Sequence, residues 1–203
     1  MPKIRLTKNE LKIQKEALKR FQRYLPTLEL KKTQLINEIR VIRNQVEEVR
    51  KEVAAFESDI DRWIAVFGDD IDLGKLFSVE EIVTRIGNIA GIDLVIFEDV
   101  VFHEEPYDLY ETPLWIDRGI NACKHKIEQN IRIKFLEDQI EVLREELRIT
   151  TQRVNLFEKV KIPESKENIR RINIYLGDER TTEVVRGKIS KAKIHRKKEL
   201  AAA

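Results

Sequence analysis

The chain has 203 residues and a mass of 24.0 kDa, with 36% charged and only 7% aromatic residues. Seven Gly, five Pro and a single Cys exclude a collagen, a low-complexity tail and a disulfide scaffold. They also argue against an immunoglobulin-like or barrel fold, which needs many Gly-marked turns and more aromatic residues. The formal net charge of +2 averages unlike parts: +5 over residues 1–67, −10 over 68–115 and +7 over 116–203.

The first 67 residues contain no Gly. Steps of three and four from Leu11 reach Gln14, Leu18, Phe21, Leu25, Leu28, Lys32, Leu35, Ile39 and Ile42. The series continues through Val46, Val49, Val53, Phe56, Ile60 and Trp63 to Phe67, and fifteen of its seventeen positions are apolar. A 3.5-residue repeat sustained this long keeps one stripe facing a partner helix, which predicts a coiled-coil arm over 1–67. Pro26 interrupts it, removing one backbone hydrogen bond.

Residues 68–115 read differently. Four of the seven Gly lie here, with Pro106, Pro113 and a run of β-branched residues from Ile82 to Val101. This composition predicts a small acidic head with a short β-hairpin, Gly87 and Gly91 bracketing a turn or bulge. A two-stranded ribbon is marginal alone and needs support from the arms or a partner.

The second arm is expected over 116–203, entered through Thr112-Pro113 as a cap and first-turn proline. Its stripe starts with Ile116, Ile120, Cys123 and Ile127. A second phase runs Ile133, Leu136, Ile140, Leu143, Leu147, Thr150, Val154 and Phe157, so the register slips between Ile127 and Ile133. Paired antiparallel with Phe67 facing Ile116, the arms place Pro26 opposite Phe157 and near Pro163, which predicts that both helices loosen in one zone. The segment from about residue 177 then overhangs the first arm as a single helix. The fold class expected is all-α: a long antiparallel two-helix coiled-coil hairpin with a small acidic β-hairpin-containing head between the arms.

Catalytic patterns are sparse. Gly74-Lys75-Leu76 and Gly187-Lys188-Ile189 lack the remaining residues of a phosphate-cradling loop. His103, His125 and His195 have no ligand-like spacing. The run from Asp70 through Asp72 to Glu81 imitates a calcium loop but carries Lys75 where the sharp turn needs Gly. Glu104-Glu105 beside His103 lacks a nucleophile. No enzyme, cofactor or metal site is expected. A single Cys123 and a start without an apolar leader fit a reducing compartment, and no stretch approaches the ~20 apolar residues of a membrane span. Arg186, Lys188, Lys191, Lys193, Arg196, Lys197 and Lys198 form a basic terminal segment suited to phosphates or to an acidic protein cavity.

One stretch is more specific. Thr151-Gln152-Arg153-Val154-Asn155-Leu156-Phe157-Glu158-Lys159-Val160-Lys161-Ile162-Pro163 resembles the "RVNALE…IP" segment of the D subunit in the V-type ATPase/ATP synthase family. Ile169, Ile172, Leu176, Asp178-Glu179-Arg180 and Lys188 resemble its continuation. Leu6-Thr7-Lys8, Leu11, Lys15, Leu18 and Lys31-Lys32 resemble its first helix. Asn88-Ile89-Ala90-Gly91-Ile92-Asp93-Leu94 with Phe97-Glu98 is similar to its head stretch. Val95 departs from the family, which often has proline there, as do Pro26 and the polar Glu164-Ser165-Lys166.

The resemblance implies a non-catalytic central-stalk rotor that transmits torque between nucleotide turnover and ion transport. Its implied partners are the catalytic A and B subunits, the F subunit and the funnel-shaped subunit leading to the membrane ring, with no nucleic acid and no insertion into the bilayer. It implies a cytoplasmic location, peripheral to the membrane. The basic segment from Arg186 to Lys198 becomes the expected hexamer bearing, and Gly91, Arg153, Val154, Asn155, Pro163 and Arg180 are the family-motif positions. The competing reading is a coiled-coil binding module, either an RNA-gripping arm or a prefoldin-like chaperone.

Overall fold

The computed structural model describes residues 4–62, 74, 76–108, 112–113 and 115–202, with side chains to Lys197. The elements in order are helix α1 (Lys8–Ile60), strands β1 (Phe77–Ile89) and β2 (Ile92–Glu104), helix α2 (Ile116–Asn155), a π-helical segment (Leu156–Lys161) and helix α3 (Ile162–Ala202). The chain divides into two compact units, one of Lys31–Thr150 and one of Met1–Leu30 with Thr151–Ala203.

Helix α1 starts at a threonine N-cap. The Glu10 amide donates to Thr7 Oγ1 at 3.3 Å, which satisfies one of the free amides of the first turn. Every stripe position from Leu11 to Ile60 is buried or half-buried; Trp63 and Phe67 lie outside the described residues. The heptad reading therefore identifies the inward face of α1 along its length.

In the Lys31–Thr150 unit, α1 and α2 run antiparallel, with Lys31 paired to Glu146 at 2.7 Å and Glu57 to Lys126 at 2.9 Å. The core joins Leu35, Ile39, Ile42 and Val46 of α1 to Ile140 and Leu143 of α2 and to Leu94 of β2, with Ile89, Ala90 and Ile92 packed around them. The hairpin end is thus a third layer on the helix pair, which gives the ribbon the support it lacks alone. Strand β2 follows α2: Gln139 Nε2 donates to the Val95 carbonyl at 2.7 Å. Phe97 stacks on Phe135 at 5.9 Å, and Lys124 reaches Glu104.

Each strand has 13 residues, more than twice the common length of about five or six. The turn is Ala90-Gly91, with φ of 54° and 78°. Two positive φ values in a two-residue loop define a type I′ turn, whose twist matches that of the strands. Asn88 braces it, accepting from the Gly91 amide at 3.1 Å and donating to Asp93 at 2.7 Å. Gly87, expected at the turn, lies inside β1 opposite Leu94. A Cβ there would meet the end of the Ile96 side chain, which would have to turn aside to admit it.

Helix α2 begins at Ile116, and Thr112 does not cap it: the hydroxyl donates to the Asp108 carbonyl at 2.8 Å. Thr112-Pro113 instead belongs to the turn ahead of the helix, where the Ile116 amide bonds to the Pro113 carbonyl. The expected register slip puts Gln129 into the buried stripe, with its Oε1 unpartnered among the described residues.

In the other unit the two ends of the chain also run antiparallel. Phe157 packs on Phe21 at 5.1 Å, and Asn168 Nδ2 donates to Gln14 Oε1 at 3.5 Å. A count anchored at the head places Phe157 opposite Pro26, five residues from its observed partner Phe21, while the Gln14–Asn168 pair stands within about one residue of the same count. The expected loosening is present in the second arm. The backbone there widens into the π segment, and the Ile162 amide bonds to the Phe157 carbonyl five residues back. In the first arm α1 continues through Pro26 without interruption.

Candidate functional site

From Gly177 to Lys197, α3 is exposed at every position. The sequence explains why. Continuing the buried stripe past Ile172 and Leu176 in steps of three and four gives Glu179, Glu183, Gly187, Ser190 and Ile194. Only the last is apolar, so this length has no seam to offer a second helix. The expected bearing residues Arg186, Lys188, Lys191, Lys193, Arg196 and Lys197 all lie on it, exposed, with no acidic residue among residues 186–197. At about 100° per residue they distribute around the helix instead of forming one stripe. Lys198 falls outside the described side chains.

The motif positions separate by role. Val154 is buried at 5% exposure, while Arg153, Asn155 and Arg180 are exposed. Asn155 immediately precedes the π segment, Pro163 is the second residue of α3, and Gly91 holds the left-handed position of the turn. The head and the basic segment are thus on different elements, and none of the motif residues converges with the others on a cleft.

The other chemical candidates are local ion pairs. His103 lies 3.3 Å from Glu105, and Glu104 is taken by Lys124, whose ammonium also sits 5.7–5.8 Å over the Phe77 and Phe102 rings. This cation–π clamp at the hairpin base joins residues more than 20 positions apart, so no local motif announces it. His125 stacks against Phe56. Burial pushes the Cys123 thiol above its ordinary pKa, opposed by the Lys126 ammonium, so it stays protonated at neutral pH. Of the calcium-like run, Asp70, Asp72 and Lys75 lie outside the described residues, and Glu81 is an exposed residue of β1. Among the described residues no three His, Cys, Asp or Glu side chains gather as a metal site would need. Among them also, no helix is long and apolar enough to cross a membrane.

Sequence reasoning did not anticipate a cavity of about 1150 Å³ beside the π segment. Its apolar lining includes Ile4, Leu6, Val160, Pro163, Ile172 and Tyr175. Ile4 and Leu6, ahead of α1, line it together with Val160 of the π segment and residues of α3.

The family described as the ATP synthase D subunit matches residues 10–192. The chain is 46% identical over 197 residues to the V-type ATP synthase D subunit of Borreliella burgdorferi, covering 97% of this chain and 98% of that protein. It is 34% identical over 200 residues to the protein of the same name from Chlamydia caviae, covering 97% and 96%. It is 32% identical over 198 residues to that of Chlamydia pneumoniae, covering 96% and 95%.

Proposed function

The chain belongs to the family of ATP synthase D subunits and is a central-stalk component of a rotary V-type ATP synthase, and from that premise we propose how its surfaces are used. It transmits torque between nucleotide turnover in the catalytic hexamer and ion transport in the membrane. We assign it no catalytic step of its own. The A and B subunits surround the basic end of α3, the F subunit sits along the helices near the acidic hairpin, and the funnel-shaped subunit receives the opposite end. The chain works in the cytoplasm, peripheral to the membrane. The RNA-gripping and chaperone readings account for neither the long hairpin nor the overhang.

The observation that carries this reading is the exposed length Gly177–Lys197, with six cations spread around its circumference from Arg186 onward. A rotor must present a similar face to its bearing at every angle. Exposed Lys and Arg contacts are individually weak, on the order of 0–1 kcal/mol, and screened by salt. Such contacts re-form as the shaft turns, whereas a tight buried pair would hold it at one angle.

Replacing Lys191, Lys193, Lys197 and Lys198 together by Glu tests the assignment in the reconstituted complex. The expected result is weakened coupling, with ATP turnover no longer matched by rotation. An unchanged ATPase rate with unchanged rotation refutes the bearing.

A further inference from the structure

The helical ladder between Val154 and Leu176 departs from an ordinary α-helix in four ways that reinforce one another. The segment Leu156–Lys161 is π-helical, and its bonds span five residues. Pro163 has no amide to give the Lys159 carbonyl, and its ring crowds that same carbonyl. Val154, Ser165 and Leu176 are buried at eleven-residue intervals, a stutter that locally unwinds a supercoil built on sevens. The packing that would resist twisting is thin: Leu156 and Val160 are 44% and 48% exposed, and the next two buried stripe positions are the polar Ser165 and Asn168.

The antiparallel helix of the same unit carries a proline close by, within a helix that stays continuous. Pro26 lies inside α1, and Thr27 Oγ1 donates back to the Tyr24 carbonyl at 2.7 Å, a bond that competes with the helix's own ladder. The Phe21–Phe157 contact stands five residues from Pro26 and six from Pro163, about 7.5 and 9 Å along the axes.

We propose that the π segment Leu156–Lys161, set by Pro163, is a torsional spring of the shaft. Under load its five-residue bonds exchange with four-residue bonds, winding or unwinding α3 relative to Thr151–Asn155 without a break in the helix. One residue of helix corresponds to about 100° of rotation about its axis, so a fraction of one exchange absorbs a substantial twist. Pro163 keeps the exchange open because its ring crowds the Lys159 carbonyl in the α form, while its missing amide leaves both forms one bond short. Phe157 on Phe21 is the pivot that keeps the two helices together while it happens. The inference rests on the torque-transmitting role proposed above.

Hydrogen exchange on the full chain and bead rotation of the assembled complex test it together. In the free chain, amides at 157–162 exchange about tenfold faster than those at 170–176, and Pro163→Ala brings the two sets within about threefold. In the complex, Pro163→Ala narrows the angular fluctuation of the bead during pauses by about 1.5-fold, and Val160→Gly widens it by a similar factor. Equal protection of the two segments in the wild-type chain overturns the spring. So does Pro163→Ala failing to restore protection, or restoring it with no change in bead fluctuation. A wild-type chain that assembles but does not turn with the bead removes the rotor reading instead, and the exchange result still decides whether the segment opens.

Discussion

The two compact units are built from the same pair of antiparallel helices yet pack very differently. Along α1 in Lys31–Thr150, the stripe residues Leu35, Ile39, Ile42, Val46 and Val49 are buried at 0–5% exposure. In Met1–Leu30 the equivalent positions Leu11, Gln14, Leu18, Phe21, Leu25 and Leu28 are no better than half-buried. On the α1 side the residues are of similar kind and the difference follows the hairpin's cover, whereas on the α3 side Ile172 and Val154 are buried at 0% and 5% exposure without it. Two helices alone cover one narrow stripe, while in the larger unit the hairpin's Ile89, Ile92 and Leu94 close over a third side. For a shaft we expect this difference to have mechanical meaning, with the three-layered unit the stiffer of the two.

The largest test of this contrast is a pair of truncations. Leu143 is fully buried in the three-layered core, and Leu143→Ala is expected to cost about 3–5 kcal/mol, because tight surroundings cannot collapse on the cavity. Leu25 is half-buried in the two-layered unit, and Leu25→Ala should cost about 2 kcal/mol or less. Urea unfolding followed by circular dichroism reads both. Equal costs would mean that the third layer adds no rigidity.

A smaller effect sharpens the same point from the hairpin. Ala90 holds a left-handed φ of 54°, which costs an L-residue with a Cβ about 1 kcal/mol. Ala90→Asn supplies the residue that type I′ turns favour and should stabilise the larger unit by about 0.5–1 kcal/mol. Hydrogen exchange should slow at Ile89–Leu94 and along the facing α1 and α2 segments. It should not change at 8–28 or 165–176. Slowing spread over both units would show that they are not separate in stability.

Much of this contrast was legible in the sequence, and the illegible part has a common cause. The stripe of α1 could be read residue by residue because heptad spacing directly encodes which face is covered. The hairpin was visible in its β-branched run and in Gly91. The basic overhang was visible too, since its charges and its lack of a seam are both local features. The depth of burial was not, because Leu35 and Leu25 look alike until Leu94, about 60 residues away, is placed over one of them. Gly87 misled for the same reason: it lies within the ladder opposite Leu94, a pairing set across the sheet. The π segment has no hydrophobic period of its own, and only Pro163 and the eleven-residue spacing mark it.

The smallest prediction concerns what holds α3 helical in the two-layered unit besides its buried Ile172 and Leu176. Glu167 accepts from Arg170 at 2.8 Å and from Arg171 at 2.9 Å. These bonds to the ionised form draw its carboxyl pKa down from 4.5 to about 2. The folded-state pKa is depressed, so the stabilisation is fully present above about pH 4.5 and is lost as pH falls through about 2. The residue is on the surface, where solvent and salt screen the gain, so the effect is local to α3. Between pH 5 and 2 the exchange protection of residues 165–172 should fall further in the wild-type chain than in Glu167→Gln, which carries no titrating group there. The shortfall should shrink in 0.5 M salt as the ion pairs are screened. Identical pH profiles for the two proteins would show that the carboxylate contributes nothing, leaving Ile172 and Leu176 as the main anchors of α3 against α1.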